Sequence, residues 1–304
     1  MLRHLFIALS NNGPLRRAAE HSAVGQRLSR RFVAGVTAEE VLAAAAEMNR
    51  LGIGVSIDHL GENVTNADEA RTSAIIYHRL LDDIKARGLN ANVSVKLTHL
   101  GLDVDEKMCR DLICSIVTHA ARQDNFIRVD MEGSAYTQRT LDIVRDLHRQ
   151  FGDAVGAVIQ SYLRRSESDV ETLLSEGIRI RLCKGAYDEP PSVAFSRKSE
   201  VDANYLRLMK MLLKSGIYHG IATHDARIIE ETVRFAIKEN VPRDAFEFQM
   251  LYGIRRDLQQ QIVSEGWRMR AYIPFGPEWY PYFMRRLAER PANVLFLAKN
   301  VFRG

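Results

Sequence analysis

Cysteine is scarce: Cys109, Cys114 and Cys183 are the only three in 304 residues. They form no Cys-x-x-Cys pair and no zinc-type spacing, so a disulfide scaffold and a zinc ribbon are excluded and a reducing, cytoplasmic setting is expected. No apolar run approaches the roughly 18 residues that cross a bilayer, which excludes a helical membrane protein. A surplus of one charge sign is also missing, since 42 Lys+Arg stand against 38 Asp+Glu, leaving +4 and a pI near 9.0. Basic residues are mostly interleaved with acids, and the exceptions are short, such as Arg16-Arg17 and Arg30-Arg31. A nucleic-acid partner would need a patch or stripe, so none is expected. There is no Gly/Pro/Ser-rich linker and no low-complexity tract, which argues against a two-domain hinge. The first ten residues hold a short apolar stretch without a small-residue cleavage site, so no signal peptide is expected.

What is present is ordinary for a folded chain: 46% apolar and 26% charged residues. The length suits either two domains or one α/β barrel of about 250 residues with an extra piece of about 50. A strand-then-helix beat decides between them. Eight β-type runs occur at Gly52–Ile57, Ala91–Leu97, Phe126–Met131, Val155–Gln160, Ile178–Cys183, Gly220–Thr223, Phe246–Met250 and Met269–Ile273. Most are rich in Val and Ile, and they recur at the spacing of one βα unit. Between them, Asp68–Arg87, Lys107–Arg122, Thr137–Phe151 and Ile228–Asn240 place apolar residues at helical intervals. Gly88, Gly152, Gly177 and Gly216 stand where helices would end. Thr37-Ala-Glu-Glu40 and Ser166-Glu-Ser-Asp169 read as capping boxes. A doubly wound sheet would need GxGxxG after an early strand, but Gly52-Ile-Gly54 is followed by Ile57 where the third glycine belongs. The pattern therefore predicts an α/β fold, a (β/α)8 TIM barrel over residues 49–304. Residues 1–48 form an N-terminal helical extension that includes the strongly helical Val41–Glu47.

Catalysis in such a barrel sits at the C-terminal strand ends. All eight ends carry polar residues: Asp58, His59 and Glu62; Lys96; Asp130 and Glu132; Gln160; Arg181 and Lys184; Thr223, His224 and Asp225; Gln249; Tyr272. One polar strand end is usually a loop-start hydrogen bonder. Eight together would cost free energy unless a ligand or one another satisfied them. No HxH or HExxH occurs, so no metal is expected. Cys183 has no catalytic motif and reads as a small apolar strand residue. Lys96 or Lys184 could form a Schiff base, as in barrel aldolases, while an anion contact is the plainer reading of Lys184. Gly185 beside it would let a ligand approach the backbone. Near the C-terminus, Arg285 and Arg286 lie side by side on a helix. Paired guanidinium forks suit a small carboxylate.

Five strings now stand in order: Gln160-Ser-Tyr-Leu-Arg-Arg165, Arg181-Leu-Cys-Lys-Gly-Ala-Tyr187, Ala222-Thr-His-Asp225, Phe248-Gln-Met-Leu-Tyr-Gly253 and Arg285-Arg-Leu-Ala-Glu-Arg-Pro-Ala-Asn293. Together they resemble the single-function bacterial proline dehydrogenases, from about Arg31 to the C-terminus. The resemblance implies a distorted barrel whose last helix lies across its mouth, with FAD bound noncovalently at the strand ends. It implies that Arg285 and Arg286 hold the proline carboxylate, and that Lys96, Asp130, Tyr187 and Tyr272 line the substrate site above Leu182. Glu62 matches the acidic gate, and Glu289 would support the arginine helix. Arg181 would approach the flavin N5 and Gln160 the ring. Asp130, Cys183, Lys184, Gly185, Ala186, Thr223, His224 and Gln249 would complete the FAD contacts. Two departures are visible: Cys183 stands where valine is usual, and Asp188 where many members carry tryptophan.

The implied reaction takes proline to 1-pyrroline-5-carboxylate, the first step of proline catabolism, with a hydride passing from C5 to flavin N5. A cation at N5 suits charge arriving there. Lys96 and Asp130 are both candidates for the base at the amine, or they neutralise each other. Electrons would pass to a membrane quinone, which leaves peripheral contact through Leu2, Arg3, Phe6 and Ile7 open beside a plain packing role for the arm. Tyr272 is kept, whereas the resemblance implies a smaller residue at this position in the hydroxyproline-oxidising branch, which favours proline. A Schiff-base aldolase and a flavin-free scaffold are the competing readings.

Overall fold

The computed structural model describes residues 29–289 continuously, and before them Arg16, Ala19, Glu20, Ser22 and Gly25. Eight strands close a parallel barrel in the order β1 to β8, with β8 paired to β1. They are β1 (Gly54–His59), β2 (Ala91–Val95), β3 (Ile127–Val129), β4 (Val155–Gln160), β5 (Arg179–Cys183), β6 (His219–Ala222), β7 (Phe246–Leu251) and β8 (Met269–Phe275). The helices are α1 (Ala38–Arg50), α2 (Ala67–Ala86), α3 (Glu106–Arg122), α4 (Thr137–Phe151), α5 (Ser166–Ser175), α6 (Lys198–Lys214), α7 (Ala226–Lys238), α8 (Arg256–Ser264) and α9 (Trp279–Glu289). The expected barrel is the observed one. Helices α6 and α8 come in addition to those the spacing picks out. Among the described residues no helix is long and apolar enough to cross a membrane.

Local chemistry explains the boundaries. Thr37 and Glu40 form the expected capping box, the Thr37 hydroxyl accepting from the Glu40 amide at 3.3 Å. Asn66 and Asp105 cap α2 and α3 in the same way. Gly88, Gly152, Gly177 and Gly216 all take positive φ past their helices. Strand β1 starts two residues later than expected, because Gly52 turns at φ 75 before the sheet begins. The second capping box is not formed. Arg165 stands at the cap of α5, and Ser166 is already helical, accepting from Asn204 Nδ2 at 2.9 Å. Asp169 instead accepts from Arg165 Nε at 2.8 Å.

Two helices define where the site lies. Nearly half of the expected arm 1–48 falls outside the described residues, but α1 buries Val41, Leu42, Ala45 and Met48 in the main core, against β1 and β8. Helix α1 thus fills the outer position at the β8–β1 seam. Helix α9 packs in a separate apolar cluster of Phe32, Val33, Leu60, Ile254, Trp279, Tyr280, Tyr282, Phe283 and Met284. Leu60 and Ile254 follow β1 and β7, so this cluster sits at the C-terminal mouth of the barrel, where the last helix is expected.

Candidate active site

Strands alternate sides with period two, so every second residue points into the barrel. The outward set here is mostly apolar, Val, Ile, Leu and Ala under the helices with Phe246, Phe248, Met250, Met269 and Phe275 on β7 and β8. The inward set is unusually polar: Ser56 and Asp58, Asn92, Ser94 and Lys96, Arg128 and Asp130, Gln160, Arg181, Glu247 and Gln249, Arg270 and Tyr272. Barrels more often fill this space with branched apolar side chains.

Arg181 is the hub. Its Nε donates to Gln249 Oε1 (2.6 Å), Nη1 to Asp130 Oδ1 (2.7 Å), and Nη2 to both Ser56 Oγ (3.0 Å) and Ser94 Oγ (3.1 Å). A guanidinium has five N–H donors, so one N–H of Nη1 remains for a ligand. Asp130 also accepts from the Tyr272 hydroxyl at 2.8 Å, and the Arg181 guanidinium lies 5.1 Å from the centre of the Tyr272 ring. Burial and the carboxylates of Asp130 and Asp58 raise the Tyr272 pKa well above its ordinary value, so it is a neutral donor.

Lys96 pairs with Asp58 at 2.8 Å, not with Asp130. The direct ion-pair partner of Asp130 is Arg181, so Lys96 and Asp130 act on each other only through space. Burial alone would lower the Lys96 pKa, but Asp58, Asp130 and Glu62 raise it well above the ordinary value. A protonated amine is a poor nucleophile, which argues against Schiff-base chemistry there. Lys184 is likewise held between Asp202 (2.6 Å) and Asp225 (3.0 Å).

The mouth holds further titratable groups. Glu132 accepts from the Thr98 backbone N–H (3.2 Å) and hydroxyl (2.5 Å), and burial raises its carboxyl to about 7. His59 stacks on His99 with centroids 5.1 Å apart. Burial and the Lys96 charge push His59 down to about 4, and burial with His59 and Lys96 pushes His99 to about 3, so both rings are neutral. Burial pushes the Cys183 thiol up to about 12, which keeps it protonated and unreactive.

The other expected residues are placed as follows. Gln160 is 3% exposed; its Nε2 donates to Met131 O at 3.4 Å and its Oε1 has no hydrogen-bond partner. Thr223 is buried, and its hydroxyl accepts from the Asp225 amide at 3.1 Å. His224 Nε2 accepts from the Leu251 amide at 2.9 Å. Gly185 adopts φ +104, and a Cβ there would lie 2.2 Å from Tyr162 Cδ1, so the Tyr162 ring occupies the space beside it. Ala186 and Tyr187 are exposed on the β5–α6 loop, Tyr187 by 37%. Leu182 lies on the opposite face of β5 from Arg181, in the main core. Glu62 is half-buried after β1, close enough to bear on Lys96 and Glu132. Arg286 lies over the Tyr282 ring at 5.1 Å. Arg285 and Glu289 belong to α9, and their side chains lie outside the described residues.

Sequence reasoning missed Ser56, Ser94 and Glu247. Their signal is the alternation of polar and apolar residues within β1, β2 and β7, one step below the strand ends.

Comparison with known proteins identifies the family. Residues 41–299 match the family model described as Proline dehydrogenase. The chain is 40% identical over 304 residues to Proline dehydrogenase 1 of Bacillus subtilis (strain 168), covering 100% of both chains. It is 42% identical over 282 residues to Proline dehydrogenase of Deinococcus radiodurans, covering 91% of each. A solved structure of proline utilization A from Bdellovibrio bacteriovorus, inactivated by N-propargylglycine, matches with a TM-score of 0.83 at 27% identity. That match covers 95% of this chain and 36% of the other. The chain belongs to the proline dehydrogenase family.

Proposed function

We propose that this chain oxidises L-proline to 1-pyrroline-5-carboxylate, using FAD at the C-terminal mouth of the barrel. The reading is carried by one observation: the buried, fully oriented set Asp130, Arg181 and Tyr272 in a chain of this family. The residues present suit a flavin. Gln160 Oε1 is a buried acceptor without a partner, fit for a ring N–H, and Arg181 keeps one N–H for a ring nitrogen or oxygen. Gln160, Arg181, the Cys183 backbone, Lys184, Gly185, Ala186, Thr223, His224 and Gln249 would hold the cofactor. When bound, a flavin supplies the acceptor for the hydride leaving proline C5.

The remaining work falls to side chains. Arg285 and Arg286 would clamp the proline carboxylate and so fix C5 at near-attack distance, about 3–3.5 Å from its acceptor. Tyr272, with its hydroxyl tied to Asp130, would wall the ring side of the substrate, and Tyr187 would border it. Glu62 would close the site over the arginines, with Glu289 bracing α9 one turn on. Arg181 presents a fixed positive charge where negative charge arrives. Lys96 cannot accept the amine proton while Asp58 keeps it charged. Electrons would leave to a membrane quinone, with a peripheral contact at the membrane surface through Leu2, Arg3, Phe6 and Ile7. The enzyme would be cytoplasmic.

Replacing Arg286 tests the clamp. Arg286→Met should raise KM for proline by ~30-fold or more, the equivalent of about 2 kcal/mol for a charge-assisted hydrogen bond, with FAD content unchanged. Loss of FAD in step with the loss of proline affinity would show that this arginine holds the cofactor instead.

A further inference from the structure

Glu247 has no part in the proposed substrate or cofactor contacts, yet it is 4% exposed inside the barrel, one inward step below Gln249 on β7. Its Oε1 accepts from Gln249 Nε2 (2.6 Å) and Arg270 Nε (2.7 Å), and Oε2 accepts from the Tyr218 hydroxyl (2.8 Å). Burial alone would raise its pKa. The Arg270 guanidinium, with the hydrogen bonds from Arg270, Tyr218 and Gln249, brings it below the ordinary value, so it is ionised. An ionised carboxylate only accepts, and a guanidinium only donates.

Gln249 lies between the two, and that decides which way its amide faces. The NH2 end must meet Glu247, so the carbonyl must meet Arg181, whose Nε donates to it at 2.6 Å. A flipped amide would set donor against donor and acceptor against acceptor, losing both bonds. Glu247 therefore fixes the sense of the Gln249 amide, and the amide fixes one edge of the Arg181 fork. Strand β6 makes room for this arrangement with Gly220, which pairs in register with both Arg181 and Glu247. A Cβ at Gly220 would lie 2.4 Å from Gln249 Nε2 and 2.8 Å from its Cδ.

We propose that Glu247 is a positioning residue for Arg181, acting through the Gln249 amide to hold the guanidinium toward the flavin and thereby set the flavin's reduction potential. This rests on the reading above that Arg181 faces the flavin. Two rival roles give different signs. A carboxylate acting only through space opposes negative charge on the flavin, so its removal would raise the potential. A purely structural residue would change stability and leave the potential where it was.

The test is a spectroelectrochemical titration of the FAD-loaded full chain, with melting temperature recorded in parallel. Arg181→Met should lower the midpoint potential. Glu247→Gln should lower it in the same direction by less, shifting the reduction equilibrium about tenfold, at the low end of outer-shell effects. Adding Glu247→Gln to Arg181→Met should cause no further drop, because the guanidinium it positions is gone. Gly220→Ala changes no charge and pushes first on the Gln249 side chain, so it should lower the potential as well, and it serves if Glu247→Gln does not fold. A raised potential in Glu247→Gln, or an unmoved one in Gly220→Ala, would overturn the proposal. An unmoved potential in Arg181→Met would instead overturn the placement of Arg181, and this proposal with it.

Discussion

Glu132 gives the site a pH signature that can be read in stability. Burial sets its carboxyl at about 7 in the fold, against an ordinary 4.5. The folded chain therefore binds this proton more tightly than the unfolded chain. The stabilisation is complete below the unfolded pKa and is lost as pH rises through about 7. A glutamine in its place would keep a contact to Thr98 without titrating. Between about pH 5 and about pH 8, the stability of Glu132→Gln relative to the parent should improve by roughly 3 kcal/mol. A difference in melting temperature that stays constant across that range would contradict the assignment. At this scale the sequence was legible in residue type more than in pairing. Lys96 and Asp130 stand out as strand-end charges, but their partners Asp58 and Arg181 lie 38 and 51 residues away along the chain. Pairing of β1 with β2 brings the first couple together, and the curvature from β3 to β5 the second. Ser56 is silent in sequence for the same reason: its contact with Arg181 spans 125 residues, and a lone strand serine has no distinguishing pattern. Gly185 shows a different limit. Sequence suggests room for a ligand, whereas the tight neighbour is the Tyr162 ring.

Among the elements, α1 and α9 divide the usual work of the last barrel helix. Helix α1 covers the β8–β1 seam, which frees α9 to pack at the mouth with its own cluster. Trp279 is the anchor: it is 1% exposed and meets Phe283 edge-on at 5.6 Å. Truncating a buried Trp to Ala costs about 3–5 kcal/mol where the site cannot collapse. Because the cluster is separate from the main core, that loss should fall on the docking of α9. Hydrogen exchange of Trp279→Ala should quicken in α9 and leave the barrel strands protected. Equal quickening in strands and α9 would show one cooperative unit instead. The strands were legible because most of the β-type runs are rich in Val and Ile and recur at the length of one βα unit, and glycines mark the helix ends. Their boundaries moved by a residue or two where turns intervene, as at Gly52. The false capping box at Ser166 shows why pattern alone fails there: the serine is drawn to Asn204, a partner on α6 that sequence does not place beside it.

For the whole molecule, the barrel converts alternation into function. Its outer faces are mostly apolar and its inner faces rich in polar residues, so closure gathers Asp58, Lys96, Asp130, Arg181, Gln249 and Tyr272 into one buried network. Such pairs contribute little net stability, since desolvation offsets their attraction. What they supply is orientation, with Arg181 held at four points and one donor left. The buried cations Lys96, Arg128, Arg181 and Arg270 stand among the buried acids Asp58, Asp130, Glu132 and Glu247, so the interior is close to charge-balanced. The central claim is that this network serves proline oxidation by a bound flavin, and the visible spectrum of the purified chain tests it most directly. The protein should be yellow, or become so with added FAD, and should bleach anaerobically when proline is added. A protein that binds no FAD, or a bound flavin that proline leaves coloured, would contradict the account.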